Sequence, residues 1–224
     1  MNNINKIGIS ISLILSLGYG KTIIVDQSGN GDYTTISDGI DAASEGDTVS
    51  VRAGTYTEKV SMTSTKDISL IGAGYETTSI VNGDNALYMQ YAGAATVSGF
   101  TIESTSTHSI DIQYSNPTFK KCVIKGKDDK TAIQSRYNSD LTLYNCVIRD
   151  ADVGVAHSST TGFTALIKNC IIYNNTTGIY NSDDGTINVL SSIIISNSTY
   201  GLNKNRGYYL TMYNSYYDNS TTFN

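Results

Sequence analysis

Six short phrases recur along the chain: Gly99-Phe-Thr-Ile102, Lys121-Cys-Val-Ile124, Asn145-Cys-Val-Ile148, Asn169-Cys-Ile-Ile172, Ser191-Ser-Ile-Ile194 and Asn214-Ser-Tyr-Tyr217. Their starts lie 22, 24, 24, 22 and 23 residues apart, a period that marks a stacked repeat. Aligned on the second residue, the phrases give a column of Phe100, Cys122, Cys146, Cys170, Ser192 and Ser215. Two residues later stand Ile102, Ile124, Ile148, Ile172, Ile194 and Tyr217. Three residues before the anchor stand Val97, Phe119, Leu143, Ile167, Val189 and Met212, and five before it Ala95, Pro117, Leu141, Ala165, Ile187 and Leu210. The column between these two is mostly polar (Thr96, Thr118, Thr142, Leu166, Asn188, Thr211), which is the two-residue alternation of a half-buried strand.

The alternation slips just before the anchor, where Gly or Asn stands in four of the six phrases. Both residues tolerate a left-handed backbone, so the strand turns a corner there. Each repeat then crosses a polar loop to a third strand, seen as Gly154-Val155, Gly178-Ile179 and Gly201-Leu202. Three strands per turn, with like residues stacked on like, predict an all-β parallel β-helix of about eight coils. Right-handedness follows from the usual chirality of parallel crossovers. A leucine-rich repeat has a similar period but requires a Leu pattern that is absent.

Composition agrees with this reading: the 224 residues include no Trp, one Pro, 20 Gly and 17 Tyr, with 39 % hydrophobic residues. Strand formers mixed with turn formers suit a β-rich chain. The net charge of -5 argues against nucleic acid, whose phosphates require clustered Lys and Arg.

Residues 1–20 differ in kind. Lys6, an apolar run from Ile7 to Leu17, and small residues at Gly18 and Gly20 have the layout of a secretory signal peptide cleaved after Gly20. The run is too short to span a bilayer, which takes ~20 residues, so no membrane span is expected after cleavage. Residues 21–224 then form a single domain, located outside the cell, in the periplasm or on the surface of a bacterium. Thr35 to Gly46 reads as a short helix with Ile36, Ile40 and Ala43 on one face, capping the open end of the solenoid. The other end stops at Phe223-Asn224 with no polar cap, so either a neighbour covers that edge or the chain continues in a longer product.

The stretch Val25-Asp-Gln-Ser-Gly-Asn-Gly-Asp-Tyr-Thr-Thr-Ile-Ser-Asp-Gly-Ile-Asp-Ala-Ala43, then Val49-Ser-Val-Arg-Ala-Gly-Thr-Tyr-Thr-Glu-Lys-Val60, then Ile68-Ser-Leu-Ile-Gly-Ala-Gly74 resembles the opening of the pectin-lyase-like superfamily, and of pectin methylesterases in particular. Gly54-x-Tyr56-x-Glu58 is a phrase of that family. The resemblance implies the same fold, and a site in which one aspartate attacks the ester, a second serves as acid and base, and glutamines hold the oxyanion. Matched residue by residue, Asp152 takes the acid/base position, Ala151 stands where a glutamine belongs, and Thr177 occupies the nucleophile position. The other glutamine falls near Lys130 or Thr131, and the later Arg-Pro-Trp phrase is missing. The resemblance therefore carries the scaffold but not the methylesterase chemistry.

Other residues carry candidate chemistry of their own. Asp128, Asp129, Asp150 and Asp152 fall in equivalent loops of adjacent coils, where they either bind calcium, as acidic clusters do in pectate lyases, or sit as solvated turn residues. The outer face of the third strand is expected to show Tyr88, Gln113, Gln134, Arg136, Tyr180 and Asn203, a set suited to a sugar chain lying along the stack. Cys122, Cys146 and Cys170 read as a buried ladder of free thiols, because stacked Cβ atoms at the ~4.8 Å strand spacing are too far apart for disulfides. His157 is expected to point inward in a structural role, and Asn174, Asn175, Asn197 and Asn219 fill one recurring turn.

Two functional readings remain. One is a secreted protein that binds polysaccharide or displays on a surface without catalysis. The other is a carbohydrate-active enzyme on a pectin-like acidic polymer, using calcium and a base such as Arg136, or Asp152 as a divergent esterase.

Overall fold

The computed structural model describes residues 20–159, 162–204, 210–213 and 216–220; the segment read as a signal peptide, apart from Gly20, and the terminal Phe223-Asn224 lie outside them. The chain winds as a parallel β-helix with three sheets of nine, eight and seven strands. A single coil shows the plan: Thr96–Ser98 in the first sheet, Thr101–Ser104 in the second, Ile110–Gln113 in the third. Every pair of neighbouring strands is parallel and one coil apart, so the expected columns are real rungs: Ile102↔Ile124↔Ile148↔Ile172↔Ile194 in the second sheet. Val97↔Phe119↔Leu143↔Ile167↔Val189 runs in the first. These side chains are almost wholly buried and make the core a continuous stack rather than a central globule.

The three corners of the triangle solve the same problem in three ways. Each takes a left-handed residue with an inward one a position or two later. Between first and second sheets these are Gly99, Lys121, Asn145, Asn169 and Ser191, at φ between 48 and 75°. Behind them stand the cysteines, free and buried as expected, followed by Ser192, whose Oγ accepts from the Cys170 amide at 3.1 Å. Hydrogen bonding with Cys146 and then burial push the thiols of Cys122 and Cys170 up, so these two stay protonated and inert.

Between second and third sheets the left-handed residues are Asp150, Asn174 and Ser196, and the inward row is Ala151, Asn175 and Asn197. Asn197 Oδ1 accepts from the Asn175 amide at 3.1 Å and from Asn175 Nδ2 at 2.9 Å. Asn219 Oδ1 repeats the pattern for Asn197 at 3.0 and 2.7 Å. Such ladders satisfy amides that the turning strand leaves unpaired. At the third corner Ser115, Ser139 and Ser159 serve the amides of Ala92, Ser115 and Ser139 at 2.9, 3.2 and 3.1 Å.

The capping helix is Ile36–Ala42, shorter than the predicted stretch, with Thr35 as N-cap and Ile36 and Ile40 buried. Its amides at Ile36 and Ser37 donate to the Glu58 carboxylate at 2.8 and 3.0 Å, and the Ser37 hydroxyl does so at 2.6 Å. Tyr56 is fully buried, its hydroxyl 3.1 Å from the Arg52 carbonyl. The Gly54-x-Tyr56-x-Glu58 phrase is thus scaffold: it fastens the cap to the first coils.

Candidate functional site

Strand alternation on the third sheet sends two rows of side chains outward. The register Tyr88↔Asp111↔Gln134↔Ala156↔Tyr180↔Asn203 forms one. The second runs Gln90↔Gln113↔Arg136↔Ser158. All six residues expected on this face lie on it, divided between the two rows: Tyr88, Gln134, Tyr180 and Asn203 in the first, Gln113 and Arg136 in the second. The parallel inward row carries Met89, Ile112, Ser135, His157 and Asn181.

Asp111 belongs to the face and stands between Tyr88 and Gln134, a rung the sequence reading passed over. Its side chain is only 4 % exposed and sits 2.7 Å from Arg136 Nη2. Gln113 Nε2 donates to the same carboxylate oxygen at 3.2 Å, and Gln90 Nε2 to Gln113 Oε1 at 3.3 Å. The result is a ladder of amides braced by one ion pair. A guanidinium neutralised in this way remains a cation that positions neighbours and is poorly suited to take a proton from substrate.

The row ends on a second feature absent from the sequence reading. Tyr91, Tyr114 and Tyr137 occupy the left-handed position of the third corner, at φ 55, 49 and 58°. Their rings stack with centroids 5.0 and 5.2 Å apart and planes within 10°, and they remain 52, 39 and 47 % exposed. Arg136 lies over the Tyr137 ring at 5.7 Å. A left-handed conformation costs a side-chain-bearing residue ~1–2 kcal/mol, and each stacked pair offsets ~0.5–1.5 kcal/mol. Two pairs do not fully offset three such corners, where Asn would serve at less strain. The signal was present: the three tyrosines are 23 residues apart, one coil each.

The positions of the methylesterase phrases assemble on the same sheet. Thr131↔Val153↔Thr177 are partners on consecutive strands; the Asp152 amide donates to the Lys130 carbonyl at 2.9 Å and the Thr177 amide to the Asp152 carbonyl at 2.7 Å. The side chains there differ from that chemistry. Ala151 is buried in the asparagine row, its amide bonded to Asn175 Oδ1 at 3.1 Å. Thr177 is buried, and among the described residues no base bonds its hydroxyl. His157 points inward as expected, fully buried, with Nδ1 3.3 Å from Ser135 Oγ. Burial lowers its pKa to about 4, with the nearby Phe163 backbone and Asp140 charge offsetting only part.

The four loop aspartates do not converge. Asp129 pairs with Lys130 at 2.9 Å, and Asp150 pairs with Arg149 and accepts from Asn174 Nδ2 at 2.6 Å. Among the described residues no three acidic, His or Cys groups gather as a metal site, and the contacts seen at Asp129 and Asp150 are those of the solvated-turn reading. Lys130 beside Asp129 holds that carboxyl below its ordinary range, as a surface ion pair does.

Comparison with known proteins agrees with the scaffold. A probable pectinesterase 55 of Arabidopsis thaliana is 36 % identical over 85 residues, which is 36 % of this chain and 26 % of that protein. The chain thus matches about a quarter of that relative's length. The solved pectin methylesterase of Aspergillus niger superposes with a TM-score of 0.58 at 15 % identity, over 92 % of this chain and 85 % of that one. A pectin methylesterase in complex with a hexasaccharide gives 0.55 at 15 % identity, over 91 % of this chain and 67 % of the other. At such identities the likeness is one of fold. The sequence pattern described as "Right handed beta helix region" matches residues 68–220, which span the stacked rungs, the outward rows and the tyrosine corner; the chain belongs to that family.

Proposed function

We propose that this chain is an exported β-helix protein with a pectin-related role, which holds a polysaccharide along the outer face of its third sheet and does not hydrolyse methyl esters. The observation that carries the reading is one face with two contents. It presents ordered rows of rings, amides and one braced guanidinium, while the positions of the esterase phrases hold Thr177 and Ala151. A chain of pyranose rings needs hydroxyl partners and ring edges at repeated intervals, and the rows supply both. Export is supported by the charged, apolar and small-residue layout of residues 1–20. The hexasaccharide held by a methylesterase of the same fold makes a sugar chain a fitting occupant.

The test is incubation of the purified protein with polygalacturonate and with its methyl ester, with and without calcium, following methanol and unsaturated product. No release is expected, together with retention of the protein on an immobilised polysaccharide. Release that disappears in Asp152→Ala would overturn the non-catalytic reading in favour of a divergent esterase; calcium-dependent unsaturated product that disappears in Arg136→Gln would do so in favour of a lyase.

A further inference from the structure

The ridge of Tyr91, Tyr114 and Tyr137 is not needed to turn the corner, because the other two corners turn with Asn, Ser, Lys, Asp or Gly in the same conformation. Nor does the ridge belong to the core, since all three rings are exposed. The rings turn their faces to one another and remain partly open to solvent, Tyr114 between two neighbours being the least exposed. Directly before each ring in the chain stands one member of the amide row: Gln90, Gln113, Arg136. Ring and hydrogen-bonding group therefore advance together, one pair per coil.

We infer that this ridge and the row beside it form a binding edge for an uncharged polysaccharide lying along the solenoid axis; the inference rests on the polysaccharide-binding reading above. A sugar chain presents C–H patches and hydroxyls in turn, which suit an aromatic edge running parallel to amides that both donate and accept. Charge selects the class. Arg136 is matched by Asp111 at 2.7 Å, and Lys59, beside Tyr88, by Asp84 at 2.6 Å. The carboxylates just past the tyrosine corner, Asp67 and Asp140, accept from the neutral amides of Ala94 and Thr164 and, among the described residues, form no ion pair. The edge thus carries surplus negative charge in a chain of net charge -5, and a polyuronate would be repelled where a neutral chain is not.

Asparagine is the substitution of choice at the three tyrosines, because it accepts the left-handed backbone and leaves the corner intact. Retention is measured on a neutral galactan and on polygalacturonate, at low and high salt, for the wild type, for the variant carrying Tyr91→Asn, Tyr114→Asn and Tyr137→Asn, and for Gln134→Ala with Tyr180→Ala. The wild type is expected to bind the galactan, with little change on adding salt, and to bind polygalacturonate less. The triple variant should lose galactan affinity by on the order of tenfold or more with a melting temperature that does not fall. Retention by the triple variant equal to wild type, with loss only in the Gln134/Tyr180 variant, would overturn the ridge and leave the sheet face as the site. A wild-type preference for polygalacturonate that salt abolishes would overturn the charge argument. A dimer that the triple variant dissociates, without change in galactan retention, would make the ridge a contact between copies. Failure of the wild type to retain either polymer would overturn the polysaccharide-binding reading itself.

Discussion

His157 shows how a single residue can be costly to a stack that is otherwise apolar or laddered. It stands in the inward row between Ser135 and Asn181, with Nδ1 near a hydroxyl and Nε2 without a hydrogen-bond partner among the described residues. Only the neutral ring is tolerated there, which is why burial lowers the pKa to about 4 from an ordinary 6.5. The unfolded chain takes up the proton first on acidification, so stability from this site is complete above pH 6.5 and is lost as pH falls toward about 4. The shift corresponds to about 3 kcal/mol. Urea midpoints at pH 7 and pH 4.5 should therefore differ more in the wild type than in His157→Gln; equal differences would show that the imidazole does not set the slope. The inward direction of His157 was legible from its place two residues after Val155. Its missing partner was not, because that depends on the coil above.

At the scale of elements, the corners explain what could and could not be read from the sequence. The first corner was legible because Gly99, Asn145 and Asn169 are the residue types that announce a left-handed backbone. The third corner was hidden because tyrosine reads as a strand residue, although Tyr91, Tyr114 and Tyr137 keep the coil spacing. Asp111 was missed for a related reason: a carboxylate in a strand looks solvated until Arg136, two residues past its rung partner Gln134 on the next strand, is placed beside it. The family phrase was visible as a pattern, but its work lies across chain: Glu58 closes the N-terminus of a helix more than twenty residues earlier. The charged carboxylate accepts three hydrogen bonds from Ile36 and Ser37, and charge-assisted bonds of this kind contribute more than neutral ones. Glu58→Gln, which keeps the shape and loses the charge, is expected to destabilise by about 1–2 kcal/mol, read as a lowered thermal midpoint with unchanged far-ultraviolet circular dichroism at 20–25 °C. An unchanged midpoint would mean that Thr35 alone suffices as cap.

The whole molecule is a one-dimensional stack, and its response to damage should follow the axis. Among the described residues each strand is laddered to the equivalent strands of the neighbouring coils, so stability is a sum of coil and nearest-neighbour terms rather than one global quantity. Ile148 is fully buried and pairs with Ile124 and Ile172 in the middle of the second sheet. Ile148→Ala leaves a cavity between two rungs that cannot collapse along a backbone fixed at the strand spacing, and such a change costs about 2–5 kcal/mol. The loss should be local: amide exchange should quicken in the coils carrying Ile124, Ile148 and Ile172, while the strand Thr22–Val25, next to the capping helix, keeps its protection. The tyrosine ridge stands on coils in which Ile110, Ile112 and Ile133 lie behind the outward rows. A damaged rung at Ile148 should therefore weaken polysaccharide retention only in part, because Tyr91 and Tyr114 rest on earlier coils while Tyr137 shares the coil of Ile124. Uniform acceleration of exchange over all three sheets, or loss of retention in step with the melting temperature, would show instead that the solenoid folds and binds as one cooperative unit.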